Sequence, residues 1–296
     1  MNNYLSELTV IIVTYKTNFE ILRNCLQSID RQVKTIIVEN SSELKYEQEI
    51  LNQFSNVEVM CTTINLGMGR GNNFGLSKVK TKYALILNPD IICDKNYFHN
   101  INTYLDGSVD FSIIGSQYYE KLSYKPAFFF NNKEFDYNME EDANNLQKVD
   151  WVVGCSILVD LKKFDSKKIF DEKYFLFYEE KDLCLRLKKI GHQVYTSRKL
   201  KVEHLGAKGS LEDDLSIIKF IKIRNWHLMW SKFYYDKKNH NFLYALIKSI
   251  GPLIRSILKS IFYLVFFKKT EFVKYFFRSY GLISSIIGMS SWYRVD

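Results

Sequence analysis

Three short groups of polar residues in this chain have the types and spacing that chemistry on a phosphate-bearing substrate requires. The first is Asn88-Pro89-Asp90, which directly follows the apolar run at residues 84–87. A carboxylate at the end of a strand can hold a divalent cation, which in turn binds diphosphate oxygens. The same tripeptide is good turn chemistry, so the motif by itself is compatible with a plain turn.

The second group is Tyr178-Glu179-Glu180-Lys181-Asp182, where three carboxylates open a predicted helix. Acidic residues complement the positive end of a helix dipole and need no catalytic role there. The aromatic and apolar residues 175–178 come immediately before, however. A carboxylate beside apolar surface can have a raised pKa, as a general base needs, so both interpretations stay open.

The third group is the glycine-rich stretch at residues 65–75, which opens another predicted helix. Its backbone N–H groups could approach a phosphate, and Arg70 would add positive charge. The spacing departs from the dinucleotide-binding fingerprint at Asn72, so this stretch alone is weak support. His204, followed by Gly206 and Gly209, is either a metal ligand or an ordinary exposed histidine.

Short apolar runs and amphipathic segments alternate through the first ninety residues. Strands are predicted at residues 8–14, 35–38, 57–60 and 83–87, and helices at residues 18–29, 44–54 and 72–79. This alternation is typical of a parallel α/β sheet, in which ligands bind beyond the carboxyl ends of the strands. That rule directs attention to Glu39, Asn40 and residues 88–90.

The remainder of the chain changes character twice. Residues 117–149 are polar and aperiodic, which predicts a long surface excursion. A strand at 150–159, a helix at 180–190 ended by Gly191, and a strand at 194–202 follow. From Leu211 onward the pattern is mainly helical.

Composition narrows the class of protein. The chain has 296 residues, 47% of them hydrophobic and 25% charged, which is ordinary for a globular enzyme. Its five cysteines show neither metal-binding spacing nor an even count, so free thiols are expected. The first fifteen residues lack the basic start and long apolar run of a signal peptide, which predicts a protein of the cytosol or of the cytoplasmic membrane face.

Charge is distributed unevenly along the chain. Residues 219–296 hold 14 Lys and Arg against 3 Asp and Glu, a net +11, whereas residues 1–218 carry a net −3. Lys248, Arg255 and Lys259 share one face of an otherwise apolar helix, which suits a helix lying in an anionic membrane interface. A homodimer interface is the alternative, and nucleic acid is disfavoured because the basic residues lie among long aliphatic runs.

Taken in chain order, these segments resemble glycosyltransferase family 2, in its bacterial rhamnosyltransferase-like branch. The resemblance covers about residues 8–230. It rests on eight motifs, at residues 9–15, 38–42, 65–75, 87–90, 150–154, 170–182, 204–210 and 224–225. It implies a GT-A fold, in which an α/β nucleotide-sugar-binding sheet is flanked by helices. Residues 1–235 would form this domain, and residues 236–296 a helical extension for membrane association or dimerisation.

The resemblance also implies an activity. The enzyme would transfer a sugar with inversion, using Mg²⁺ or Mn²⁺, onto a saccharide or lipid-linked saccharide in cell-surface polysaccharide assembly. Rhamnose from dTDP-rhamnose is the favoured donor and a UDP-sugar the alternative. It would work in the cytoplasm, peripherally at the inner face of the cell membrane.

Roles follow for the residues that match the family motifs. Thr14, Tyr15 and Glu39 would line the nucleoside pocket, with Asn88 near the ribose. Asp90 and His204 would bind the metal, and Glu180 would be the catalytic base. Further donor contacts are implied at Asn65, Gly67, Arg70, Asn73, Asp90, Gly154 and Arg224, and acceptor contacts at Trp151 and Tyr178.

Two positions depart from the family pattern. The chain has Glu39 and Glu180 where the family usually has aspartate, and each extra methylene shifts a carboxylate by more than about an ångström. Glu179 and Asp182 therefore remain alternative bases. A catalytically impaired nucleotide-sugar-binding or scaffold protein of the same fold is the alternative function.

Overall fold

The computed structural model describes residues 3–120, 123–125, 127–128, 145–206 and 214–294. The chain divides into two compact units. The first contains residues 1–66, 70–170 and 180–210, and the second contains residues 67–69, 171–179 and 211–296. Most of the predicted excursion at 117–149, and residues 207–213 after His204, lie outside the described residues.

Twelve strands occur in the described part of the chain. They are β1 Leu8–Thr14, β2 Lys34–Glu39, β3 Val57–Cys61, β4 Tyr83–Leu87, β5 Ile91–Cys93, β6 Ile113–Glu120, β7 Ser123–Lys125, β8 Ala127–Phe128, β9 Leu146–Lys148, β10 Trp151–Val152, β11 Ser156–Asp160 and β12 Val194–His204. The helices are α1 Phe19–Gln27, α2 Glu47–Gln53, α3 Gly67–Lys78, α4 Tyr97–Asn102, α5 Glu179–Lys189, α6 Asp214–Asn239, α7 Phe242–Val265 and α8 Lys269–Ile286.

The first unit is built on one mixed sheet, in the order β3-β2-β1-β4-β11-β6-β12-β5 among the described strands. The four strands β3, β2, β1 and β4 pair in parallel, as the strand–helix alternation predicts. The expectation of a parallel sheet fails beyond β4, because β11 runs antiparallel to it. The predicted strand at 150–159 is in fact two strands, β10 and β11, which pair with different partners.

Helix α3 begins at Gly67, five residues before the predicted start. Glycine lowers intrinsic helix propensity, so the sequence pattern places the start too late. Close packing explains why glycine is present inside this helix. A Cβ added at Gly75 would lie 2.6 Å from Cγ2 of Ile11 on β1 and 3.1 Å from Cγ2 of Val38 on β2. The absent side chain lets α3 rest directly on the two strands whose ends carry Thr14 and Glu39.

The second unit is a helical assembly of α6, α7 and α8. Met229 and Phe233 of α6, Ala245 of α7 and Leu282 of α8 form its buried apolar cluster. Trp226, fully buried on α6, is ringed by aromatic side chains that include Trp230 and Tyr293. The helical character expected for the C-terminal region is therefore confirmed. None of the helices in the described part is both long and apolar enough to cross a bilayer.

We predict that Gly75→Ala lowers the free energy of unfolding by about 1–3 kcal/mol, the usual cost of inserting a group into a packed interior. Gly251→Ala is the control, because Gly251 lies in α7 with nothing within 4 Å of an added Cβ. There, alanine should raise stability by about 0.5–1 kcal/mol through helix propensity. Urea unfolding followed by circular dichroism measures both. Equal effects of the two substitutions would contradict the packing argument.

Candidate functional site

The carboxyl ends of β1 and β2 are joined through Glu39, whose side chain is fully buried. Thr14 Oγ1 donates to Oε2 at 2.7 Å, and the Lys16 amide donates to Oε1 at 3.2 Å. The Ser41 hydroxyl lies 2.6 Å from Oε1. Three donors thus bind this carboxylate from within the protein, as a buried carboxylate requires. Beside it Tyr15 is exposed, and Lys16 adopts a positive φ of 50°.

Asn88-Pro89-Asp90 forms the turn that links β4 to β5. The Ile91 amide donates to the Asn88 carbonyl at 3.3 Å, which is turn geometry. The backbone N–H of Asn88 donates to the backbone carbonyl of Cys155 at 2.9 Å. Oδ1 of Asn88 is buried and accepts no hydrogen bond from the described residues. The turn is thus observed, and the predicted site remains a prediction that this unpartnered side-chain oxygen is compatible with.

His204 lies beside Asp90, although the two are far apart in the sequence. Antiparallel pairing of β12 with β5 places His204 opposite Ile91. Nε2 of His204 is 3.4 Å from Oδ2 of Asp90, and both side chains are about one-fifth exposed. The Leu205 amide donates to the Asp90 carbonyl at 2.9 Å, which fixes the backbones together. The tertiary structure brings together the two predicted metal ligands.

Glu180 lies in the first turn of α5, against the backbone at Gly154. A Cβ built on Gly154 would be 3.6 Å from Cβ and Cγ of Glu180, which is ordinary contact. Its Oε2 is buried without a hydrogen-bond partner among the described residues. Burial raises the pKa of the Glu180 carboxyl, and the nearby backbone amides and Lys181 lower it by less. A carboxyl with a raised pKa suits proton abstraction.

The neighbouring acids have different surroundings. Asp182 is fully buried and forms an ion pair with Arg186, whose Nε is 2.9 Å from Oδ2. Arg186 also donates to the carbonyl of Ile169 at 2.5 Å, so this pair ties α5 to the preceding segment. Glu179 is half-buried and belongs to the second unit. Asp182 is thus held in an ion pair, whereas Glu179 and Glu180 are both half-buried. The raised pKa of Glu180 fits the role predicted for it.

The predicted donor contacts in the glycine-rich stretch also serve the fold. Asn73 is buried, and its amide exchanges two hydrogen bonds with the backbone of Phe170, at 2.9 and 3.0 Å. Gly67 has a φ of 78°, and a Cβ there would lie 2.3 Å from the carbonyl oxygen of Phe175. Arg70 is exposed and Asn65 is half-buried.

Trp151, predicted to contact the acceptor, lies in the first unit, where Lys181 Nζ is 5.0 Å from the centre of its ring. Tyr178 and Arg224 belong to the second unit. Tyr178 packs on Tyr235, with ring centres 5.4 Å apart, and the Arg224 guanidinium lies over Phe177 at 5.1 Å. The described residues contain no group of three or more His, Cys, Asp or Glu side chains able to hold a metal without other ligands.

Sequence reasoning missed several groups that shape this site. The Lys16 amide and the Ser41 hydroxyl on Glu39 are two of them, and the Cys155 carbonyl on Asn88 is a third. Ser41 carried a signal, since it is one of the polar residues just after a predicted strand. Backbone groups carry none, because every residue has them.

Comparisons with known proteins agree with this architecture. The sequence model of glycosyl transferase family 2 matches residues 9–164, more than half of the chain. A rhamnosyltransferase of Escherichia coli K12, WbbL, is 25% identical over 260 residues, covering 78% of this chain and 96% of that protein. The low-salt glycan biosynthesis hexosyltransferase Agl10 of Haloferax volcanii is 24% identical over 196 residues, covering 62% of each protein. The chain therefore spans less than two thirds of the length of the haloarchaeal relative.

Two solved structures are similar in fold. The mannosyltransferase PcManGT from Pyrobaculum calidifontis, in complex with GDP-Man and Mn²⁺, matches 95% of this chain and 87% of that protein, with a TM-score of 0.54. GalNAc-T7 with UDP, GalNAc and Mn²⁺ matches 78% of this chain and 50% of that protein, also at 0.54. Both are 10% identical, so the likeness concerns the fold alone. It confirms the predicted GT-A architecture.

Proposed function

The chain belongs to glycosyl transferase family 2, and we propose that it transfers a sugar from a nucleotide-sugar donor to an acceptor hydroxyl, with inversion at the anomeric carbon. One observation carries the proposal. The first unit holds two half-buried acids with different surroundings, since Glu180 has a raised pKa and a buried Oε2 with no hydrogen-bond partner among the described residues, whereas Asp90 lies 3.4 Å from His204. Such a pair divides the work between a proton acceptor and a ligand for the leaving group.

The reaction follows from these residues. The Glu180 carboxylate takes the proton of the acceptor hydroxyl as that oxygen bonds to the anomeric carbon. The bond from this carbon to the diphosphate breaks on the opposite face, and the electron pair leaves with the nucleoside diphosphate. The raised pKa makes Glu180 a stronger base than an exposed glutamate. Inversion is the result, because the attack is in line with the departing group.

The residues at the β4–β5 turn fit a divalent cation. Asp90 offers a carboxylate, His204 an imidazole 3.4 Å away, and Asn88 a buried amide oxygen with no partner in the described structure. Mg²⁺ and Mn²⁺ accept such oxygen and nitrogen ligands and are commonly completed by substrate phosphates. When bound, the cation would supply positive charge to the departing diphosphate.

For the donor we favour dTDP-rhamnose, with a UDP-sugar as the alternative. Support comes from the likeness to a rhamnosyltransferase along 96% of its length, although at 25% identity. For the acceptor we favour a saccharide or lipid-linked saccharide in cell-surface polysaccharide assembly. A catalytically impaired binding protein is the second candidate, and the three internal donors on Glu39 favour it, because they occupy a carboxylate expected to bind nucleoside.

We further propose that the second unit attaches the protein to the inner face of an anionic membrane. The side chains of helix α7 are distributed opposite to those of an ordinary surface helix. Its buried residues are small, namely Ala245 and three serines. Its outer face carries exposed aliphatic residues every three or four positions, at Leu243, Ile247, Ile250, Ile254, Ile257, Ile261 and Leu264. At its end Phe267 is 93% exposed. Such a continuous apolar stripe is a docking surface rather than ordinary protein exterior.

Charge favours lipid over a second copy of the chain as the occupant of this outer face. Residues 242–269 carry five basic residues and no acidic one, with Lys268 and Lys269 directly after Phe267. Pairing of two such helices would bring like charges together, whereas an anionic bilayer neutralises them. An exposed aromatic side chain followed by lysines, as at Phe267, suits the boundary between lipid headgroups and acyl chains.

We predict that Asp90→Ala abolishes the metal dependence of nucleoside diphosphate binding. Calorimetric titration of dTDP and UDP should show that Mn²⁺ strengthens nucleotide binding to the wild type by roughly tenfold or more, and that this gain is lost in the variant. Removal of a residue that only orients a metal ligand already costs about tenfold or more in metal affinity, so removal of a ligand should cost at least as much. Asp94→Ala is the matched control, since Asp94 is exposed and only four residues away. Identical affinities in every titration would refute the metal site.

We predict that Glu180→Gln lowers kcat by about 10²–10⁴-fold while nucleotide affinity stays near wild type.

The stability of the same variant gives a second readout. The folded pKa of Glu180 is raised, so ionisation above that pKa costs folded-state stability, and the glutamine variant should be the more stable protein at pH 7. This difference should vanish below about pH 4, where the unfolded carboxyl is also protonated. Glu172→Gln, at an exposed site, should change neither property. Retained turnover in Glu180→Gln, with loss in Glu179→Gln, would reassign the base.

We predict that Ile247→Asp, Ile254→Asp and Ile261→Asp, combined in one variant, reduce binding to phosphatidylglycerol vesicles by about tenfold or more, because three apolar anchors are removed. Binding by the wild type should weaken as salt rises and be poor on phosphatidylcholine. Ile64→Asp with Ile190→Asp is the control, since these exposed isoleucines lie in the first unit. A wild-type dimer that the triple variant dissociates, without vesicle binding by either, would assign the face to self-association.

A further inference from the structure

The segment that leads into α5 has a strained backbone. Phe177 and Tyr178 have φ values of 67° and 70°, a left-handed conformation that L residues with bulky side chains rarely adopt. Each such residue costs of order 1–3 kcal/mol, so the conformation persists only where surrounding groups impose it. Glu179 follows directly and begins α5.

One face of α6 contacts each residue of this segment in turn. The face consists of Arg224, His227, Ser231 and Tyr235, spaced three, four and four residues apart. The His227 ring packs on Phe175 with centres 4.6 Å apart, and the Ser231 hydroxyl donates to the Leu176 carbonyl at 2.8 Å.

The same face continues to the strained pair itself. The Arg224 guanidinium lies 5.1 Å from the centre of the Phe177 ring, and the Tyr235 ring packs 5.4 Å from Tyr178. Four consecutive residues of the segment therefore each meet a different residue of one helical face. Apolar packing of α6 would not by itself require a hydroxyl at Ser231. This buried hydroxyl donates to the Leu176 carbonyl of the segment.

Two further contacts close around Phe175. Its carbonyl accepts a hydrogen bond from the Met68 amide at 2.9 Å, and the guanidinium of Arg294 lies 3.5 Å from its ring centre. Nε2 of His227 bonds to the carbonyl of Tyr293 at 2.8 Å, which holds the C-terminal segment in place. Burial lowers the pKa of His227 to about 3, so the ring is neutral and donates this hydrogen bond at physiological pH.

We propose that Arg224, His227, Ser231 and Tyr235 are positioning residues for the reaction. They hold residues 175–178 in the strained conformation from which α5 begins, and thereby set the position of Glu180 in its first turn. A helix that started one residue earlier or later would turn its side chains by about 100°, which would carry Glu180 away from Gly154. This inference rests on the proposed role of Glu180 as the base.

Ser231→Ala tests the proposal, with Ser285→Ala as a matched control. Both hydroxyls are buried in the second unit and donate to a backbone carbonyl, Ser231 to Leu176 at 2.8 Å and Ser285 to Trp230 at 3.0 Å. Loss of either bond should cost similar stability. Only Ser231→Ala should lower kcat, by about tenfold to a hundredfold, the effect of a misplaced catalytic group. Nucleotide affinity should be unchanged in both variants.

Tyr235→Ala should repeat the loss in kcat, and Tyr235→Phe, which keeps the ring, should restore it. Amide hydrogen exchange at residues 176–179 should be faster in Ser231→Ala and Tyr235→Ala than in Ser285→Ala. Equal kcat losses in Ser231→Ala and Ser285→Ala, or unchanged exchange, would overturn the proposal. If the wild type transfers no sugar, the proposed function fails, whereas the exchange measurement still decides whether α6 holds the segment.

Discussion

Glu39 has an enclosed carboxylate, and such a group is tolerated only where hydrogen-bond donors replace the water it has lost. Thr14, Lys16 and Ser41 supply those donors from the ends of two neighbouring strands. These hydrogen bonds join the carboxyl ends of β1 and β2, where nucleotide is expected to bind. One of them comes from the amide of Lys16, whose backbone is left-handed. The close packing of α3 on β1 and β2 supports the same edge from one side.

The acids of the candidate site differ because their surroundings differ. Asp90 sits at a turn between short strands, where it is partly exposed and lies 3.4 Å from His204. Glu180 packs against Gly154, and Asp182 is neutralised by Arg186 four residues later on the same helix. These three carboxylates thus have different surroundings, although their chemical group is the same. Burial and ion pairing produce this division, as they do wherever acid and base roles coexist.

The second unit reverses the usual arrangement of a surface helix. Helix α7 packs through small residues and turns its isoleucines and leucines outward. Small side chains permit close packing of α7 within the second unit, while its aliphatic stripe is exposed. Helix α6, by contrast, contacts residues 175–178 through one of its faces, and two of these residues have a left-handed backbone.

Local patterns in the sequence determined much of this protein. The alternation of short apolar runs with amphipathic segments located β1, β4 and most of the helices, because side-chain periodicity reports which face is buried. The same patterns placed polar residues at strand ends and concentrated positive charge in the last third of the chain. Only the tertiary structure decided that β11 runs antiparallel to β4, that Asn73 bonds to the backbone of Phe170, and that His204 lies beside Asp90. Strand pairing and side-chain partners depend on contacts between residues far apart in the chain, and periodicity carries no information about them.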